Sequence, residues 1–328
     1  MPFGVANGGS TPPVWPTGST PNALATNGFI PEIWAGNLLA KFYDATVLAA
    51  ISNTEYEGLI TGKGDKVKIR TRPTITIKDY LADGELELER PEGSNVSLNI
   101  DQGKYFNLIL DDVMKVQSDI ELMTEWSEDA SEQMKVKIDT DVLAYILDTP
   151  AATNKGAAAG RISGDLNLGV TTTPVPVVAR DPGVGETEIV DVILRLGQAL
   201  DENNIPESGR WVLLPAWASN MIKRSELRQA YLSGDSTSML RNGRLGMIDR
   251  FTLYVSNLLP AGVAGGLAAG EFAIFAGHSH GFTFASQLTE VETLRAQSTF
   301  GNILRGLQVY GRQTIDGTAI AQAIVAKA

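Results

Sequence analysis

The 328-residue chain contains no cysteine and only two histidines, His278 and His280. That removes disulfides, thiolate metal sites, iron–sulfur clusters and cysteine nucleophiles, and leaves little material for imidazole acid–base chemistry. Positive charge is scarce as well: 27 Lys and Arg stand against 38 Asp and Glu, a net charge of −11. A chain of that sign lacks the phosphate attraction that drives nucleic-acid readers, so a dedicated DNA- or RNA-binding role is disfavoured. No apolar run reaches the ~18 residues of a membrane span, and no basic segment precedes an apolar one as in a signal peptide. These absences lead us to expect a protein that is cytoplasmic when made and does little covalent chemistry, without cofactor or metal and not an enzyme.

What is present is globular: 43% hydrophobic and 20% charged residues, with a mean hydropathy of −0.02. Such a chain is too apolar to stay disordered. At 35.1 kDa it exceeds the usual single domain of ~100–200 residues, so two lobes, or one lobe with large extensions, are expected.

Residues 1–31 hold no Lys, Arg, Asp or Glu, but six of the fifteen prolines and five glycines. This composition reads as an extended arm. A floppy terminus is one explanation; Phe3, Val14, Trp15, Leu24 and Phe29 favour an arm that lies on a partner. Residues 32–52 place Ile33, Leu38, Phe42, Val47 and Ile51 at helical spacing after Pro31. Residues 53–111 then read as a long β excursion. Within it, Lys66-Val67-Lys68-Ile69-Arg70-Thr71-Arg72 alternates as a strand with one wet face. Charge reverses along this excursion: 63–78 carries six basic residues and one acid, 79–92 six acids and one basic residue. Glu85, Glu87 and Glu89 alternate with leucines, and Val96, Leu98 and Ile100, then Phe106, Leu108 and Leu110, give further strand-like runs. The far end is too polar to carry its own core, so the excursion should rest on something else.

Ser118 and Glu121 form a capping box, and Met123, Trp126, Ala130, Met134, Ile138, Val142 and Ile146 follow at steps of three or four. One helix of about 29 residues, roughly 43 Å, is expected, a spine packed across a sheet or flat lobe. The region 150–185, rich in Ala, Gly, Thr and Pro, reads as a surface connection or a pair of weak strands. Beyond it come a helix at 189–200, a strand at 211–214, a helix at 217–231 and strands at 251–255, 272–276 and 282–284. Two long segments at 303–315 and 318–326 finish the chain. The class is α+β.

Several chemical motifs fail on inspection. Gly277-His278-Ser279-His280-Gly281 fits the G-x-S-x-G nucleophile elbow, which needs a helix after the turn and a histidine base downstream. A strand follows instead, and no later histidine exists. The H-x-H pair lacks a clear third metal ligand and reads as a polar turn. Gly58 to Gly64 has the wrong glycine spacing for a phosphate loop and no Ser or Thr after Lys63. Gly262 to Gly266 lacks the helix of a dinucleotide site. Asp139 and Asp141 point to different sides of one helix, as on a solvated face.

The order of elements, together with two motifs, resembles the major capsid protein of tailed bacteriophages, and looks closest to the coat proteins of short-tailed phages. The first motif is Asn204-Ile205-Pro206 followed by Arg210-Trp211-Val212-Leu213-Leu214-Pro215. The second runs from Gly246-Met247-Ile248 through Phe251-Thr252-Leu253-Tyr254-Val255 to Ser256-Asn257-Leu258-Leu259-Pro260. Arg250 stands where the family commonly has glycine.

The resemblance implies a structural protein that self-assembles into pentamers and hexamers of an icosahedral shell enclosing double-stranded DNA. Its parts would be the arm 1–31, a peripheral helix 32–52, an extended loop with return strands 53–111, a peripheral domain with the spine 112–185, an axial domain 186–302, and C-terminal strands of the peripheral domain 303–328. Expected partners are other copies, a separate scaffolding protein, the portal protein and DNA packaged without sequence-specific binding, with no membrane. The place is the virion, reached from the host cytoplasm. The short arm leaves no room for a fused scaffolding segment. Candidate inter-subunit contacts are Lys66, Lys68, Arg70, Arg72, Glu85, Glu87, Glu89, Trp15 and Phe29. The alternatives are a bacterial nanocompartment shell of the same fold, another virion component, and a serine hydrolase using Ser279.

Overall fold

The computed structural model describes residues 46–53, 55, 66–70, 73, 75–79, 88–91, 93, 95–111, 122–225, 246–297 and 300–328. In chain order these form α1 (Leu48–Ile51), β1 (Lys66–Arg70), β2 (Asn95–Asn99), β3 (Gln102–Asp111) and α2 (Leu122–Ile146). Next come β4 (Val175–Val178), β5 (Thr187–Glu188), α3 (Ile189–Glu202), β6 (Arg210–Leu214) and α4 (Ala216–Arg224). The last are β7 (Met247–Ile248), β8 (Phe251–Val255), β9 (Glu271–His278), β10 (Phe282–Arg295), β11 (Gly301–Thr314) and β12 (Ile320–Lys327). The arm, the start of the expected first helix and the Ser118–Glu121 capping box lie outside the described residues.

Seven strands form a mixed sheet in the order β5-β4-β12-β9-β6-β8-β7. Both faces are covered. Val212 and Leu214 of β6, Ile274 and Ala276 of β9, and Ala321, Ala323 and Val325 of β12 face α3 and α4. Trp211, Leu213, Ala273, Phe275, Ile320 and Ile324 point the other way, onto Ile138, Val142, Leu143 and Ile146 of α2 and onto α1. Burial on both faces is why these strands read as continuous apolar runs instead of alternating ones. The spine therefore packs across a sheet, and only its C-terminal half is deep. Glu125, Glu128 and Glu132 in its first half are exposed.

A second sheet has the order β10-β11-β3, antiparallel throughout. Its longest strands, β10 and β11, have 14 residues each, about 45 Å at ~3.3 Å per residue. Phe106 lies across Gly306, where any side chain would collide with its ring. β1 and β2 form a separate antiparallel pair, and Ile69 and Leu98 bury against Ala285 of β10. A side chain at Gly311 of β11 would strike the Asn99 carbonyl, so the hairpin and the sheet touch backbone to side-chain-free backbone. The polar excursion thus rests on the long sheet.

Two elements depart from the sequence reading, and one open alternative is decided. In the segment 150–185 the weak-strand alternative holds over the surface connection: Leu168, Val175 and Val177 are buried, and β4 pairs in parallel with β12. β10 continues to Arg295 because each residue from Glu290 to Arg295 has a partner on β11, whereas the sequence suggested a strand only at 282–284. The two C-terminal strands separate: β11 joins β3, while β12 sits inside the larger sheet between β4 and β9.

Candidate assembly surfaces

The basic strand is displayed as its alternation suggests. Val67 and Ile69 turn inward, and Lys66, Lys68 and Arg70 are exposed on the other side. Among the described residues none of the three pairs with Glu89. That carboxylate instead accepts the Thr76 amide at 3.1 Å and the Thr76 hydroxyl at 3.3 Å, tying the outgoing leg of the excursion to the returning one. Arg72, Glu85, Glu87, Trp15 and Phe29 lie outside the described residues. Composition drew attention to charge here and missed apolar display: Ile77 is 89% exposed and Leu88 fully so. Large apolar groups held in water on a polar excursion mark contact surface.

The long sheet has one face toward α2 and one open. On the open face Tyr105, Leu307 and Glu290 stand in one cross-strand row, Asn107, Arg305 and Glu292 in the next, and Ile109, Ile303 and Leu294 in a third. Arg305 and Glu292 form an ion pair between the two apolar rows. Tyr105 is 78% exposed. On the opposite side a groove of about 670 Å³ separates β3 from the first half of α2, lined by Phe106, Leu108, Trp126 and Met134 among others.

Two acids expected on a solvated face are tertiary anchors. Asp139 is buried and accepts the backbone N–H groups of Val47 at 2.7 Å and Leu48 at 3.3 Å. Asp141 receives the Tyr310 hydroxyl at 2.7 Å and the Arg312 guanidinium, with Lys104 at 3.9 Å. Arg312 also stacks over the Tyr145 ring at 4.9 Å. Burial and the adjoining Asp141 carboxylate push the Tyr310 hydroxyl's pKa upward. They do point to different sides of the helix, but each meets a strand or helix start far away in sequence.

At the C-terminal end of α3 a charge network joins the two family-like motifs. The Arg210 guanidinium, with no exposed side-chain surface, reaches Asp201 at 2.7 Å and also donates to the carbonyls of Ile205 and Pro206. The other oxygen of Asp201 holds Arg250 at 2.8 Å, and Glu207 takes the same guanidinium at 2.6 Å. Asp249 and Arg250 form the two-residue turn between β7 and β8, with φ of 45° and 67°. Both positive values define the tight turn that favours Asn or Gly. Arginine is tolerated because its side chain is held by two carboxylates. Beside this network Glu202 accepts the amides of Ile162 at 2.7 Å and Ser163 at 3.1 Å, and the Ile162 bond is the first of the causes that bring its carboxyl down to about 2.

The Gly277–Gly281 turn is a single 3-10 turn feeding straight into β10. His278 Nδ1 accepts the His280 amide at 3.1 Å, and its ring also bonds the Ser208 backbone, so His278 serves the turn and not Ser279. Burial lowers its pKa. Among the described residues no three His, Asp or Glu side chains converge on a metal position, and no helix is long and apolar enough to cross a membrane.

Residues 95–323 match the family model described as phage capsid protein. The chain belongs to that family: it is a structural major capsid protein of tailed bacteriophages, part of the icosahedral shell of the virion. It is similar to a solved chain of Mycobacterium phage Che8, 26% identical, covering 90% of this chain and 97% of that one with a TM-score of 0.73. The capsid of cyanophage P-SCSP1u shares the fold at 14% identity, covering 92% and 94%, TM-score 0.67. The mature capsid of bacteriophage PhiM1 does so at 14% identity, covering 91% and 92%, TM-score 0.63. No curated protein matches the chain.

Proposed function

We propose that this protein assembles in the host cytoplasm into the pentamers and hexamers of a shell that encloses double-stranded DNA, with a portal protein and a separate scaffolding protein as partners. The observation that carries the subunit-contact part is the β1–β2 hairpin, whose Lys66, Lys68 and Arg70 stand exposed without an acid partner among the described residues. Arg72, the acids Glu85, Glu87 and Glu89, and the arm residues Trp15 and Phe29 complete the contact set in this reading. Net charge of −11 suits an inner wall that does not grip polyanionic DNA, so packing is not sequence-specific. We assign the Gly277–Gly281 turn no catalytic role.

Two measurements test this reading. Particles purified from infected cells should contain nuclease-protected double-stranded DNA; a protein cargo in its place would make the shell a nanocompartment. Reversing Lys66, Lys68 and Arg70 to glutamate should slow or block assembly while helical content stays unchanged. Each exposed pair contributes only ~0–1 kcal/mol, but a shell repeats it in every subunit. Added reversal of Glu85, Glu87 and Glu89 to lysine should restore part of the rate. Normal assembly of the triple reversal at low salt would remove charge from the contact.

A further inference from the structure

The described residues begin at Thr46, and the stretch 46–53 is held to the spine helix by little. α1 is only four residues long, far below the length at which a helix is stable by itself. Its N-cap residue, Val47, offers no side-chain cap. The orphan amides at its start are instead taken by Asp139, one carboxylate oxygen serving both Val47 and Leu48 from 92 and 91 residues away. Val47, Leu48 and Ile51 add apolar contact with the spine, and Asn53 forms a bridge to Thr283.

We propose that Asp139 is a positioning residue whose protonation sets how firmly the segment 46–53 is anchored to the spine helix. The geometry allows both protonation states. One oxygen, Oδ2, carries both amide bonds. The carboxyl also borders a cavity of about 230 Å³ whose polar lining includes Thr46, Ser52 and Gln308. Charged neighbours are few. On its own helix Lys135 lines the same cavity, one turn back, with its Nζ on Glu132 at 2.6 Å. From the segment 46–52 the facing residues are Thr46, Leu48, Ala49 and Ser52, and from β10 and β11 they are Phe284 and Gln308, none of which titrates. Asp141 on the next face is committed to Tyr310 and Arg312.

Burial raises the Asp139 carboxyl above its ordinary 3.8, and the two amide bonds pull against that rise without cancelling it. The sign follows. A carboxyl that binds its proton more tightly when folded adds stability that is complete below the unfolded value and fades as pH climbs through the folded one. Acid therefore tightens this anchor, and alkali loosens it.

Amide hydrogen exchange of the full-length protein, read on the segment 46–53 and corrected for intrinsic rates, tests this at a pH below 3.8 and at pH 7. Wild type should be better protected at the lower pH than at pH 7. Asp139→Asn, which keeps an oxygen acceptor and never carries the charge, should be protected at both and lose the pH dependence. Asp139→Ala orphans two amides, and exchange should be about tenfold faster or more at both. The segment Ile189–Glu202 is the internal reference; if Asp139→Ala also loosens it, the Asp139→Asn profile decides. Identical pH dependence in wild type and Asp139→Asn would overturn the proton link. Wild-type protection in an Asp139→Ala protein whose reference segment is intact would overturn the anchor.

Discussion

Asp201 holds two arginines, and removing it separates a buried charge effect from an exposed one. In Asp201→Ala the Arg210 guanidinium keeps its two carbonyl partners but loses the one carboxylate that pairs with it among the described residues, with no side-chain surface to return to water. Breaking a buried pair by deleting one partner costs about 3–5 kcal/mol. Asp201 itself is 41% exposed, so water reaches that side of the pair, and the low end, ~3 kcal/mol, is the expected loss. Arg250→Gly is the contrast. It removes an exposed guanidinium whose ion pairs are screened by solvent and contribute little. It also relieves a side chain held at φ 67°, a strain that the greater unfolded freedom of glycine partly offsets. The net change should be small beside that of Asp201→Ala. Urea unfolding followed by circular dichroism, at matched concentration and oligomeric state, reads both. Should Asp201→Ala prove no less stable than Arg250→Gly, Arg210 does not depend on that carboxylate and the network is surface decoration.

The spine should behave as core only toward its end: Ile146→Ala, at a fully buried position, should cost ~2–5 kcal/mol, while Thr124→Ala on the exposed first half should change unfolding by less than about 0.5 kcal/mol. The Glu202 clamp on the 160–164 loop should persist from neutral pH to acid, fading only as pH falls from 4.5 toward 2; exchange at Ile162 and Ser163 in wild type and Glu202→Gln would show it, and loss of protection at pH 5 would contradict it. Ser279→Ala should leave assembly and infectivity intact, and the wild-type chain should show no esterase activity that this change removes.

Much of the fold was legible because it follows local rules. The helix Ile189–Glu202 announces itself by Ile189, Val192, Ile193, Leu196 and Leu200, all of which are buried. The basic strand's alternation placed Lys66, Lys68 and Arg70 on the wet side directly. Other parts depend on partners distant in sequence. Val175 and Val177 are two inward residues in a four-residue strand, too few to show a period among Ala, Thr and Pro, and β12 across the sheet makes the strand real. The end of β10, Glu290 to Arg295, mixes Leu294 with Glu290 and Glu292 on one face and Val291 with Thr293 and Arg295 on the other, so it shows no clean alternation and gains its conformation from β11. Asp139 and Asp141 looked like solvated acids because their partners lie 92 and 169 residues away. Arg250 looked out of place in its turn until Asp201 and Glu207 were seen to hold it.

The central claim, that this chain is a shell subunit, is most directly tested by electron cryomicroscopy of the overexpressed protein, alone and with a co-expressed scaffolding protein. The account predicts closed icosahedral particles of pentamers and hexamers, with the Lys66–Arg70 strand of each subunit lying against a neighbour. A monodisperse monomer under both conditions, or particles in which that strand faces only solvent, would contradict it.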